Sequence, residues 1–157
     1  MKGRGEGPVR GKERVSIQNR QRKFKINPFK IRKTAGLVLK IMKKEKGALG
    51  LLFVNDRAIR KLNRQFRKIN RPTDVLSFPG GEPLPGAEES WLGDIAISLE
   101  TASRQATALG HSLAREISFL MVHGILHLSG WDHERSPAEA EKMYRLQRKI
   151  MERLKGL

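Results

Sequence analysis

The chain has 157 residues, enough for one domain with a core of its own, and its lack of cysteine excludes disulfides, thiolate zinc sites and cysteine nucleophiles. Lys and Arg total 32 against 16 Asp and Glu; the net charge of +16 draws polyanions, chiefly nucleic acid, and leaves an anionic membrane as the weaker partner. No apolar run reaches spanning length and the segment MKGRGEGPVRGKER has no apolar signal region, so a soluble cytoplasmic chain is expected.

The charge is concentrated at the front, where residues 1–46 hold 16 Lys and Arg against Glu6, Glu13 and Glu45. Residues 1–13, rich in glycine and charge, read as a basic flexible tail, and 14–157 as a single domain. A strand is expected near Arg14–Gln18, where Val and Ile mix with polar residues. Asn27-Pro28 then offers a side-chain cap with proline at the first helical position, and Ile31, Ala35, Val38, Leu39 and Met42 recur at helical spacing. Ala48–Val54 is a compact apolar run, read as a buried strand, before Asn55-Asp56 caps a second helix.

That helix, Arg57 to about Phe66, has Ile59, Leu62 and Phe66 as its inner stripe. Seven cations and no acid fall between positions 57 and 71: Arg57, Arg60, Lys61, Arg64, Arg67, Lys68 and Arg71. Several share a face along which a phosphate backbone could run, and Arg64, Lys68 and Arg71 are candidates for substrate contact; a solvated helix face is the plainer alternative. Pro72 stops the helix, and Thr73–Pro79 reads as a short strand with Val75 and Ser77 on one face, Leu76 and Phe78 on the other. Gly80–Ser90, rich in Gly, Pro and Glu, is a surface loop, and Gly93–Ser98 a further strand. Ser98 caps a helix running to about Leu109, closed by Gly110. The central helix follows, about Ser112–Ser129, apolar nearly all round. Ser136-Pro137-Ala138-Glu139 is a capping box opening a last helix, with Ala140, Met143, Tyr144, Ile150, Met151 and Leu154 inward.

The segment Met121–His133, MVHGILHLSGWDH, carries three of the four histidines. His123 and His127 stand four apart and so project from one helix face. Gly130 suits a helix end in a left-handed turn, which would swing His133 back toward the other two rings. Three neutral imidazoles around an open position are the donor set of a catalytic Zn²⁺, although imidazole suits other divalent metals as well. A zincin protease would read H-E-x-x-H, whereas Gly124 stands here in place of the glutamate base. Glu116, seven residues before His123, and Asp132, beside His133, are candidates to orient ligand rings; a surface glutamate and a turn cap are the plainer readings.

The segments NRQFRKINRPTDVLSFPG, LGDIAIS and MVHGILHLSGWDH, in that order, resemble the YbeY family of bacterial zinc endoribonucleases, and the likeness spans about Ile17 to the last helix. It implies an α+β fold, a single domain in which a small mixed β-sheet of about four strands packs with about five helices, with a zincin-like metal helix on the sheet. It also implies zinc ligation by His123, His127 and His133, a functional role for Arg67, a bacterial cytoplasmic setting, and work in ribosomal RNA maturation and ribosome quality control. Ser129 and Trp131 stand where the family has a larger aliphatic residue and tyrosine.

These readings meet in one expected activity: metal-dependent cleavage of single-stranded RNA, with Arg67 as a second cation on the phosphate. Ribosomal RNA, and the ribosome or its proteins, are the expected partners. Two rivals remain: a zincin-type metalloprotease, and a non-catalytic ribosome-binding protein holding structural zinc. Gly124 weighs against the first, and an open fourth position against the second.

Overall fold

The computed structural model describes residues 14–81, Pro85 and 90–155, so the basic tail expected over 1–13 and most of the expected loop over 80–90 lie outside the described residues. Four strands form one mixed sheet in the order β1-β2-β4-β3. β1 (Val15–Asn19), β2 (Gly47–Val54) and β4 (Ser90–Ser98) run parallel, and β3 (Val75–Pro79) lies antiparallel on the outside of β4. Five helices complete the α+β domain: α1 (Pro28–Ile41), α2 (Asp56–Arg67), α3 (Leu99–Leu109), α4 (Leu113–Leu128) and α5 (Pro137–Arg153).

The helix starts follow from side-chain caps. Asn27, Asn55, Ser98, Ser112 and Ser136 each have extended backbone and accept a hydrogen bond from a main-chain N–H in the first turn, satisfying a donor the helix cannot. Strand alternation then divides the apolar side chains between two layers. Leu49, Leu51 and Phe53 of β2, with Ile95 and Ile97 of β4, bury against α1, α4 and α5 in the main core. Val54, Ala96 and Leu76 face the other way and receive Ile59 of α2. α4 and α2 thus lie on opposite faces of the sheet, with the outer strand β3 between them at its edge. Among the described residues no helix is long and apolar enough to cross a membrane.

Two inward stripes differ from expectation. Phe66 is 57 % exposed and touches only the edge of the Phe78 ring, at a centroid distance of 5.2 Å, while Asn63 takes the buried place on α2 and donates from Nδ2 to the Arg71 carbonyl at 2.9 Å. The inner stripe of α2 thus ends on a polar contact that ties down the segment leading to β3. On α5, Met143, Ile150 and Leu154 are buried as expected, but Tyr144 is 38 % exposed and the fully buried partner is Gln147.

Candidate metal centre

α4 is apolar on all but one stripe because it lies between the sheet and α5. It comes close to the sheet at Gly124, where a Cβ would fall 2.8–3.1 Å from three side-chain carbons of Ile95. A side chain at 124 would therefore enter the sheet. The position that carries the base in a zincin protease is here a packing point, and a longer residue fits only if Ile95 or the helix shifts. The Ser77 hydroxyl of β3 donates to the Gly124 carbonyl at 3.3 Å, tying the edge strand to the same turn.

His123 and His127 leave α4 on the stripe that faces neither sheet nor core. The helix then stops as the glycine spacing predicts: Gly130 has φ +101°, its N–H donates to the His127 carbonyl, and the Trp131 N–H reaches back to the Leu126 carbonyl, both at 3.0 Å. Trp131 packs against the core beyond this turn. An Asp132 carboxylate oxygen accepts the Glu134 N–H at 2.8 Å and keeps the chain curving, which brings His133 over the other two rings.

The His127 Nε2 atom lies 3.1 Å from His123 Nε2 and 3.1 Å from His133 Nδ1, and one ligand atom from each ring falls within 4.8 Å of the others. Nitrogens bound at about 2.0–2.1 Å to a tetrahedral metal would stand about 3.3 Å apart, and the 3.1 Å spacing of both pairs is compatible with that. Hydrogen bonding among the rings does not explain it, because one proton or one lone pair on His127 Nε2 cannot serve two ring nitrogens at once. The donor set fits a borderline divalent metal with an open position. Burial is the largest influence holding His123 below the usual imidazole range, opposed by its bond to Gln147. Burial again, then the nearby His123 and His133, lowers His127. Both rings stay neutral where a free imidazole begins to charge, which keeps their lone pairs available.

The trio forms the floor of an open cleft of about 870 Å³. Its walls come from the outer strand and the residue before it (Ser77, Asp74), the end of α2 (Asn63, Arg67), the turn after α4 (Asp132, Glu134) and two aromatics, Phe119 of α4 and Tyr144 of α5. The Arg67 guanidinium is half exposed and 3.9 Å from the Glu134 carboxylate across the mouth. Arg71 lines the same cleft; Arg64 and Lys68 are exposed on the last turn and cap of α2 and do not line it. Asp132 borders the trio, with Arg135 Nε at 3.8 Å from its second oxygen.

Glu116 has a different task from the one its spacing suggested. It is 2 % exposed, and its carboxylate meets His111 Nε2 at 2.6 Å, five residues back and just before α4, away from the three converging rings. The partner of a candidate ligand ring is Gln147, whose Oε1 stands 3.3 Å from His123 Nδ1. The sequence reading passed over it, although a glutamine between Met143 and Ile150 in an apolar stripe is the signal that could have found it.

The sequence model described as Endoribonuclease YbeY matches residues 16–155. The chain belongs to the YbeY family. Relatives named Endoribonuclease YbeY include one from Aquifex aeolicus, 43 % identical over 145 residues that cover 92 % of this chain and 94 % of the relative. A second, from Pelotomaculum thermopropionicum, is 50 % identical over 113 residues, covering 70 % and 74 % respectively. The solution structure of a Thermotoga maritima protein superimposes with a TM-score of 0.62 at 27 % identity, over 88 % of this chain and 87 % of that one. The YbeY fold thus accounts for the α+β architecture expected from the sequence.

Proposed function

We propose that this chain is a YbeY endoribonuclease that cuts phosphodiester bonds of single-stranded RNA in ribosomal RNA maturation and ribosome quality control, using zinc held by His123, His127 and His133. The observation that carries the reading is the meeting of three ring nitrogens on the floor of a cleft with Arg67 at its rim. When bound, the ion supplies Lewis acidity and a water activated near neutral pH.

The rest of the chemistry falls to the chain's own groups. Arg67 presents paired N–H donors to two oxygens of the scissile phosphate and favours the more highly charged transition state. Arg71, in the cleft, and Arg64 and Lys68, just outside it, neutralise neighbouring phosphates. Among the cleft carboxylates, Asp74 already accepts from the Val75 N–H, the Thr73 hydroxyl and the Gln105 amide. Asp132 has one oxygen on the Glu134 N–H and the other only loosely facing Arg135, so it is the freer proton acceptor. The exposed rings of Phe119 and Tyr144 support a single-stranded substrate, because only unpaired bases can turn out to stack on them. The net charge of +16 and the family's bacterial relatives support ribosomal RNA and the ribosome as partners in a cytoplasmic setting. Gly124 argues against the protease alternative, since its position opens onto Ile95 and offers no place for a catalytic glutamate.

The test compares cleavage of a single-stranded and a fully duplex RNA by the purified protein and by His127→Ala, with bound metal measured by atomic emission. Zinc-dependent cleavage of the single strand alone, lost with the metal in the variant, is the expected result. Cleavage that survives loss of the metal would sink the reading.

A further inference from the structure

Gln147 is 1 % exposed, on the α5 stripe whose other members, Met143, Ile150 and Leu154, are apolar and fill the core against α4. An amide buried without partners is destabilising relative to an apolar side chain of the same shape, so its presence here points to a polar task. Both ends of the amide are engaged. One end stands 3.3 Å from the Phe119 carbonyl oxygen and the other 3.3 Å from His123 Nδ1.

The Phe119 carbonyl settles which end is which. A carbonyl oxygen can only accept, so the group facing it is the NH₂, and the group facing His123 is the amide oxygen. That oxygen in turn can only accept, so His123 Nδ1 must carry hydrogen. A neutral imidazole has a single ring proton, and Nε2 is therefore bare, with its lone pair aimed at the point where His127 and His133 meet. Phe119 lies one helical turn before His123 on the same helix, so the amide bridges the ligand ring to the backbone beneath it and holds the plane of the ring as well as its proton.

We propose that Gln147 is a positioning residue for the metal centre: by bridging the Phe119 carbonyl and His123 Nδ1 it fixes the tautomer and orientation that present His123 Nε2 to the ion. The inference rests on reading the trio as a metal site. It assigns to α5, which contributes no ligand, a direct influence on metal affinity. It also means that the binding-competent tautomer exists before metal arrives.

Long-range ¹H–¹⁵N spectra of the metal-free protein above the usual imidazole range report the His123 tautomer without any substitution, and the bare-Nε2 form is expected. Gln147→Met, of matching length in an apolar stripe, is expected to keep the fold and lower zinc affinity about ten- to a hundredfold in competition against a chelator, with the His123 signals moving toward a mixture of tautomers. Gln147→Leu provides the same comparison if the methionine variant does not fold. A wild-type spectrum with the proton on Nε2 would overturn the proposal, as would unchanged zinc affinity and an unchanged His123 tautomer in a folded variant. Zinc bound equally well by wild type and by His127→Ala would instead sink the metal-site reading on which it rests.

Discussion

The two ends of α2 sit in two kinds of polar cluster. At its start, Asp56 accepts from the Ser98 and Thr101 hydroxyls at 2.7 and 2.6 Å and from the Arg104 guanidinium at 2.8 Å, while its own N–H donates to Glu100 at 2.8 Å. Donors and acceptors match, and the cluster fastens the first turn of α2 to the first turn of α3. At its far end, Arg67 overlooks three ring nitrogens that converge so that His127 Nε2 faces two others, which one proton or one lone pair cannot both serve. A closed set of hydrogen bonds holds structure, whereas converging acceptors beside an open cleft await something from solution. The distinction separates a structural cluster from a binding site by donor arithmetic alone.

Breaking the open cluster should have the largest effect. His127→Ala is expected to lose bound metal and at least about a thousandfold of RNA cleavage, since a metal's charge stabilisation amounts to several kcal/mol and each 1.4 kcal/mol is a factor of ten. The metal-free variant should melt within about 4 °C of the metal-free parent, because one half-buried ring contributes about 1 kcal/mol of stability. Arg67→Ala comes next: cleavage should fall about a hundred- to a thousandfold, as when one preorganised donor to a developing charge is removed, with zinc content unchanged in the same preparation. Equal zinc loss in both variants would erase the division of labour between floor and rim.

Much of this was legible in the sequence, and the failures share a cause. Caps at Asn27, Asn55, Ser98 and Ser136 located four of the helices, because capping is settled within four residues of chain. The turn at Gly130 was legible for the same reason. What periodicity could not see was which neighbour a stripe would meet. Phe66 and Tyr144 fall on inward-facing spacings, yet Phe66 meets Phe78 of the outer strand and Tyr144 lines the cleft, and both rings end exposed. Glu116 keeps helical register with His123 but was captured by His111, which lies outside the helix that the register argument considered. Gly124 was legible as a missing base, while the reason for its smallness, Ile95, lies on a strand distant in sequence. Local rules carried the elements and the convergence of the three histidines; tertiary neighbours decided the contacts of the side chains around them.

The closed cluster should respond in stability and not in chemistry. Asp56→Ala leaves two hydroxyls and a guanidinium without their acceptor, and a loss of about 2–3 kcal/mol would lower the melting temperature by about 4–12 °C. Zinc binding and cleavage at a temperature well below the transition should stay as in the parent. The pH dependence has a definite sign. Hydrogen bonds from Thr101, Ser98 and Arg104 outweigh the opposing effect of burial and hold the Asp56 carboxyl below its ordinary value. Its contribution is therefore fully present above the unfolded carboxyl range, about pH 4, and is lost as pH falls through the lower folded value. Parent and Asp56→Ala melting curves should converge on acidification; a gap that stays constant down to low pH would show that the carboxylate charge is not what stabilises this end.

The smallest effect belongs to the one contact that closes the open end. Arg67 and Glu134 stand 3.9 Å apart with both side chains half exposed or more, a pair that solvent screens to about 0.2–1 kcal/mol. Weak as it is, it engages the guanidinium that an incoming phosphate needs, so Glu134 acts as a competitor for Arg67 and adds a like charge at the cleft mouth. Glu134→Gln should tighten single-stranded RNA binding by about 1.4- to fivefold, the factor corresponding to that energy, with the largest gain at low salt where the pair is least screened. In the Arg67→Ala background the same substitution should give a smaller gain, because the competition has been removed and only the repulsion remains. A double-mutant cycle on RNA affinity measures that difference directly. Additive effects would mean that Glu134 acts only through the general field of the cleft; coupling would show that Arg67 exchanges one carboxylate for one phosphate when substrate binds.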